Sequence, residues 1–233
     1  MPPPQTVSRD LLRTYRPLQV LLIVLMFVTG LFDAVTFLDF GQVFAANMTG
    51  NIVLLGIGLA RPERPLALLS LVAVAASLVG ITIGAGLARR LERLGQRWIV
   101  TTMGIGVVVL ILALLATVLR QPLGDYPALA LLAIALGMNN ATANRIHIPG
   151  ETTTVVITTT LTSLAAGLQF PQADVGTRAR QTSGIAAIIV GALCGAALLH
   201  LGATVAIGAG TGVVMLGLVG YVVTLLRRPS DAA

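Results

Sequence analysis

FAANMTGN, residues Phe44 to Asn51, and TTTVVITTTLTS, residues Thr152 to Ser163, are polar stretches set where the chain would otherwise be crossing a membrane. Each follows an apolar segment with a polar residue of its own, Asp33 in the first case and Asn140 in the second. Hydrocarbon offers no water to backbone or side-chain polar groups. Polar, helix-breaking sequence therefore persists at membrane depth only when it is buried in protein or lines a wet cavity. A path for a solute or ion is the leading reading of this arrangement.

Composition fixes the class. The chain is 56% hydrophobic and 10% charged with a mean hydropathy of +0.92, whereas a soluble domain carries roughly 25% charged residues. It reads as an integral membrane protein. All 15 basic residues are Arg, nearly all in gaps between apolar runs, so the net charge of +6 is orientation information and not nucleic-acid affinity. The single cysteine, Cys194, lies in the apolar run IAAIIVGALCGAALL and allows neither an intrachain disulfide nor a cysteine metal site. Arg9, Arg13 and Arg16 precede an apolar stretch in signal-peptide order, but that stretch is too long and lacks a clean cleavage site. It reads as a retained first helix.

Six long apolar segments follow one another: Leu18 to Leu38, Leu66 to Ala88, Ile99 to Val118, Pro127 to Asn144, Gly184 to Leu199 and Ala203 to Leu226. Spanning the hydrocarbon takes about 20 helical residues, and the fourth and fifth segments are marginal. The two halves also lie over each other. Gly30 and Ala34 match Gly137 and Ala141, which sets Asp33 opposite Asn140; Thr49, Leu55, Gly58 and Leu59 match Thr158, Leu164, Gly167 and Leu168. Gly80, Gly84, Ala85 and Leu87 match Gly191, Gly195, Ala196 and Leu198, and Gly104, Gly106, Val107 and Val108 match Gly210, Gly212, Val213 and Val214. Four blocks in order, at offsets between 106 and 111, argue for an internal duplication.

Topology turns on whether the polar stretches cross. Two full crossings give eight spans and leave ten Arg inside and five outside. Two re-entrant segments give six spans, with twelve Arg inside and only Arg61, Arg64 and Arg120 outside. The positive-inside rule favours six, with both termini cytoplasmic. Each half then has three crossings, so the second is inverted relative to the first, as in many transporters with sites at the repeat interface near the midplane. The expected fold is all-α and polytopic: six transmembrane helices plus two re-entrant or broken helices, as a duplicated inverted repeat. The expected segments are a tail over 1–17, a first membrane repeat over 18–120, a second over 121–228 and a tail over 229–233.

FDAVTFLDFGQVFAANMTGNIVLLG, followed by GMNNA and TTTVVITTTLTSLA, resembles the YoaK family of small bacterial inner-membrane proteins, catalogued as a domain of unknown function. The resemblance runs from about Thr29 to Gly195 and is specific in Asn-Met-Thr-Gly-Asn. It implies a bacterial inner-membrane location and no established chemistry. The second repeat has Thr158, Thr159 and Thr160 where the family pattern commonly has Thr-Gly-Thr, so a break at Thr159 has less support than one at Gly50.

Eight residues form the candidate solute- or ion-binding set: Asp33, Asn47, Thr49, Asn51, Asn140, Asn144, Thr158 and Thr160. An ionised Asp33 at membrane depth must be paired, hydrated or protonated, and so could carry a coupled proton or bind a cation; the plainer reading is a helix cap or a pairing with Arg. Asn47, Thr49 and Asn51 flank Gly50, where a released backbone would present its polar groups, and a half-helix starting near Asn51 would aim its positive end at the centre. Alternatively, Asn and Thr bond between continuous helices, and Thr158, Thr160 and Thr162 bond back to their own helix. Asn140 and Asn144 share a helical face at i, i+4 beside Asn139, lining an inner vestibule or merely marking the interface with Arg145 and His147. The Gly80/Gly84 and Gly191/Gly195 pairs read as close packing, with the two helices meeting each other across a pseudo-twofold axis.

His200 reads as interfacial, and two separated His make no metal site. The sequence presents no Ser-His-Asp set, paired carboxylates, phosphate loop or metal cluster, so the chain is read as a non-enzyme without cofactor or metal; a membrane-embedded hydrolase is the remote option. The leading function is a small-solute transporter, with proton coupling through Asp33 as an option; the alternative is a channel or a non-transporting membrane scaffold. The expected partners are the lipid bilayer and a small solute or ion, with no nucleic acid, and self-association into a homo-oligomer stays open. The half-helix dipole favours anions, while Asp33 and the dense Asn and Thr favour cations or neutral molecules.

Overall fold

A computed structural model describes residues 9–61, 65–95, 97–120, 124–146 and 175–227. These residues form seven α-helices and no strand: α1 (Arg9–Asp39), α2 (Met48–Ala60), α3 (Leu66–Leu91), α4 (Arg97–Val118), α5 (Tyr126–Arg145), α6 (Val175–Leu198) and α7 (Ala203–Leu226). Five of them, α1, α3, α4, α6 and α7, are long and apolar enough to cross a membrane. The chain is an all-α polytopic membrane protein. The sixth expected crossing, α5, is a 20-residue helix that falls short of the others in apolarity because it carries Asn139, Asn140, Asn144 and Arg145. It tolerates them because it is packed between α3 and α4, with twelve buried residues including Leu129, Leu132, Leu136 and Met138.

Close approaches between helices fix their directions. Gly80 packs on the backbone of Ile134 and Gly84 on that of Met138, so α3 and α5 run parallel. Gly191 packs on Phe27 and Gly195 on Leu31, so α6 and α1 run parallel as well. Gly210 meets Phe32 while Gly217 meets Val24, making α7 antiparallel to α1. An Arg120 to Asp39 hydrogen bond of 2.5 Å puts the C-terminal ends of α1 and α4 together, and Arg145 to Glu92, at 2.8 Å, joins α5 to the end of α3. Helices α1, α4 and α6 thus point to the Asp39 end, and α3, α5 and α7 to the Arg145 end. At the Arg145 end Leu18, Leu21, Ile99, Ala143, Ile146 and Tyr221 form one cluster, so the outer ends of the first and last helices lie on the same side.

The glycine pairs differ from expectation in their partners. The Gly80/Gly84 helix and the Gly191/Gly195 helix do not meet each other: α3 packs on α5, and α6 packs on α1. The small-residue pattern reports how near a backbone can come but not which helix comes near. At these sites a Cβ would lie 2.1 Å from the Ile134 carbonyl oxygen at Gly80 and 1.9 Å from that of Phe27 at Gly191.

Candidate functional site

The first polar stretch forms a turn and a short helix. Helix α1 ends at Asp39, Gly41 (φ 87°) and Gln42 (φ 67°) reverse the chain, and the turn closes with Ala46. Gly41 also packs where a Cβ would lie 2.5 Å from Leu69 Cδ1, so both its conformation and its surroundings call for glycine. The Ala46 N–H donates to Asp33 Oδ1 at 2.7 Å. Asp33 lies six residues before the end of α1, about 9 Å back along the helix at 1.5 Å per residue. The chain has therefore turned inward before α2 begins.

Helix α2 then runs back to the end it came from. Its 13 residues cover about 20 Å, and Gly58 packs on Ala67 at the start of α3, on the Asp39 side. It enters and leaves on one side, which makes it a re-entrant half-helix. The ends of α5 and α6 that flank residues 147–174 likewise lie on one side, the Arg145 end. Thr158 and Thr160, with the rest of the second polar stretch from Thr152 to Ser163, lie outside the described residues.

The break comes earlier than the sequence suggests. Helix α2 starts at Met48, and Gly50 sits inside its first turn. Asn47 is the N-cap, its Oδ1 accepting from the Gly50 N–H at 3.2 Å, in the manner that makes Asn a preferred cap. Gly50 is needed for space and not for flexibility. A Cβ there would lie 2.9 Å from the ring of Phe44, which stacks on Phe37 with centroids 5.0 Å apart.

Asn51 is fully buried and faces back onto the turn. Its Nδ2 donates to the Phe44 carbonyl at 2.6 Å, and its Oδ1 accepts from the Phe44 N–H at 2.9 Å. Both sides of its amide are thereby engaged, and it clamps the turn to α2. Asp33 is half-buried, while Asn47 and Thr49 are exposed around the head of α2. The structure thus brings Asp33, Asn47, Thr49 and Asn51 together at one place.

On α5 the polar residues separate by helical phase. Asn140 is half-buried and Asn144 exposed, whereas Asn139 is the buried one. Asn140 and Asn144, at i, i+4 on one unbroken helix, share its less buried face. Asn139 Oδ1 would lie 2.9 Å from a Cβ at Gly106 of α4, and neither polar atom of its amide has a hydrogen-bond partner among the described residues.

At the Asp39 end Arg120 joins three elements. It donates through Nε to Asp125 and through Nη1 to Asp39 Oδ2, and its guanidinium lies 4.8 Å over the ring of Phe40. Its hydrogen bond to Asp125 pushes the Arg120 pKa further above its ordinary value, against the opposing effect of burial, with Asp39 adding to the rise. Asp39 escapes a reading of local sequence because its contact with Arg120 closes a separation of 81 residues, whereas Asp125 lies only five residues beyond Arg120. No group of three or more His, Cys, Asp or Glu that could hold a metal forms among the described residues.

The model of a family described as "Protein of unknown function (DUF1275)" matches residues 21–220. The chain belongs to this family. It is also 29% identical over 145 residues to the UPF0700 transmembrane protein YoaK of Bacillus subtilis (strain 168). That alignment covers 62% of this chain and 64% of YoaK, so the chain spans under two thirds of the relative's length. No solved structure matches the chain. The DUF1275 match runs from within α1 into α7 and so contains the re-entrant turn. Together the transmembrane relative and the apolar helices make this DUF1275 protein a multi-pass membrane protein.

Proposed function

We propose that the chain is a transporter of a small solute, proton-coupled through Asp33, built from two inverted repeats and set in the bacterial inner membrane with both termini in the cytoplasm. The observation that carries this reading is the hydrogen bond from the head of a re-entrant half-helix to a carboxylate about 9 Å inside the bundle. Interrupted helices whose ends meet near the midplane are the usual way a transporter places polar groups at membrane depth.

The packing supports two related halves. Under the offsets that align them, Gly80 on Ile134 corresponds to Gly191 on Phe27, Gly84 on Met138 to Gly195 on Leu31, and Gly137 on Ser77 to Gly30 on Ile188. Helices α1 and α5 are matched and run in opposite directions, as inversion requires. Arg89, Arg90, Arg97 and Arg145 lie towards one end and Arg61 and Arg120 towards the other, which supports a cytoplasmic Arg145 end. In this reading Asp33 is the central group, Asn47 and Thr49 flank the head of α2, and Asn51 positions the turn. Asn140, Asn144, Thr158 and Thr160 supply the second half of the path.

The engagement of Asn51 with Phe44 favours a second reading, a non-transporting scaffold in which the polar stretch only packs. Reconstitution into liposomes with a broad panel of solutes separates the two. Saturable uptake that responds to an imposed pH gradient supports transport, unsaturable flux indicates a channel, and no flux for any solute favours the scaffold.

A further inference from the structure

In sequence, the half-helix dipole draws the solute's charge one way and Asp33 the other. The geometry removes the first pull. Asp33 Oδ1 itself takes the Ala46 N–H at 2.7 Å, with the backbone N–H groups of Ala45 and Asn47 beside the carboxylate, while Asn47 Oδ1 takes the Gly50 N–H. The anion-attracting head of α2 is therefore already served by the protein's own carboxylate. A helix N-terminus is equivalent to roughly half a positive charge, against a full negative charge on an ionised Asp33. The remainder is negative.

Among the described residues no ion pair offsets that remainder. The ion pairs among the described residues are Arg120 with Asp39, Arg120 with Asp125 and Arg145 with Glu92, all at the ends of the bundle. Of the helices packed against α1, α6 carries Arg178 and Arg180 in its first two turns, towards the Arg145 end, then Cys194, with His200 exposed just past its C-terminus; α7 carries Tyr221, and α5 carries Arg145 at the far end. An entering anion would meet a negative carboxylate, with the Ala46 and Gly50 N–H groups already engaged by protein oxygens. A divalent ion needs several hard oxygen ligands, usually more than one of them a carboxylate, and no such cluster forms among the described residues.

We propose that the Asp33 carboxylate, held in place by the turn from Ala45 to Asn47, binds a small monovalent cation, either an alkali ion or a small ammonium. This rests on the transport reading for movement, but the binding does not require flux. Proton and cation then become alternative occupants of one carboxylate, which is the simplest basis for exchanging one against the other. Asp33 is not fully enclosed by the protein.

The test is thermal unfolding of the purified full-length protein at constant ionic strength, in chloride salts of sodium, potassium, methylammonium and the bulky N-methylglucamine, and in sodium salts of chloride, sulfate and gluconate. The expected result is a saturable rise in Tm that follows the small cation, ignores the anion and disappears in Asp33→Asn. A Tm that follows the anion, or that no small cation raises, overturns the proposal using the wild-type protein alone. With Asp33→Glu, which keeps the charge on a longer arm, the order of the cations changes; an unchanged order also contradicts it. A cation-dependent Tm without flux of any solute leaves this site standing and removes the transport reading, whereas saturable uptake of an anion does the reverse.

Discussion

Asp33 and Ala46 lie 13 residues apart and are joined by a 2.7 Å hydrogen bond from the Ala46 amide to the Asp33 carboxylate. That bond ties a point about 9 Å inside the end of a membrane-spanning helix to the point where the chain turns back. It makes the position of α2 depend on Asp33, and it leaves no break between the carboxylate and the half-helix through which a change at one would fail to reach the other.

Asn51→Ala removes both hydrogen bonds that hold Phe44. At about 1 kcal/mol each, with backbone groups left unpaired, the cost is about 2 kcal/mol or more. Thermal unfolding in detergent should show this loss, while Thr49→Ala, at an exposed position, should leave stability near wild type. A Thr49→Ala variant that is stable yet alters uptake would mark Thr49 as part of the path.

Gly80→Ala and Gly191→Ala should both destabilise, because each forces a methyl into a neighbouring backbone carbonyl. Overpacking of this kind costs about 1–3 kcal/mol. Gly86→Ala and Gly212→Ala, where a Cβ meets nothing within 4 Å, should be neutral or stabilising by up to about 1 kcal/mol. Similar losses at Gly80 and Gly191 are the outcome that two equivalent repeats require.

In a Cys194→Ser background, Arg61→Cys should react with an impermeant thiol reagent in intact cells, and Arg97→Cys only after permeabilisation. The two positions lie at opposite ends of the bundle, and the Arg distribution assigns the Arg97 end to the cytoplasm. The reverse pattern would invert the protein in the membrane.

Much of this was legible, and what was not has local physical causes. The apolar runs gave α1, α3, α4, α6 and α7, because about 20 apolar residues have few other uses. Gly50 suggests a break and a helix start near Asn51, whereas α2 starts at Met48; the nearer signal is Asn47, a good N-cap whose side chain reaches the amide three residues on. Asn140 and Asn144 share a face of α5 as their i, i+4 spacing indicates, but that face is the less buried one, and the phase of α5 buries Asn139. The partner of a glycine pair, and the closure of Arg120 on Asp39, are tertiary facts that no spacing encodes.

The most direct test of Asp33 as the working group of transport is Asp33→Asn, followed by thermal stability of the purified protein and by pH-gradient-driven uptake in vesicles. Asparagine keeps the shape and an Oδ1 that can still accept the Ala46 N–H, but it cannot gain and lose a proton. The account predicts a folded protein of near wild-type stability that no longer accumulates solute in response to the pH gradient. A variant that is equally stable and accumulates solute as the wild type does would contradict it.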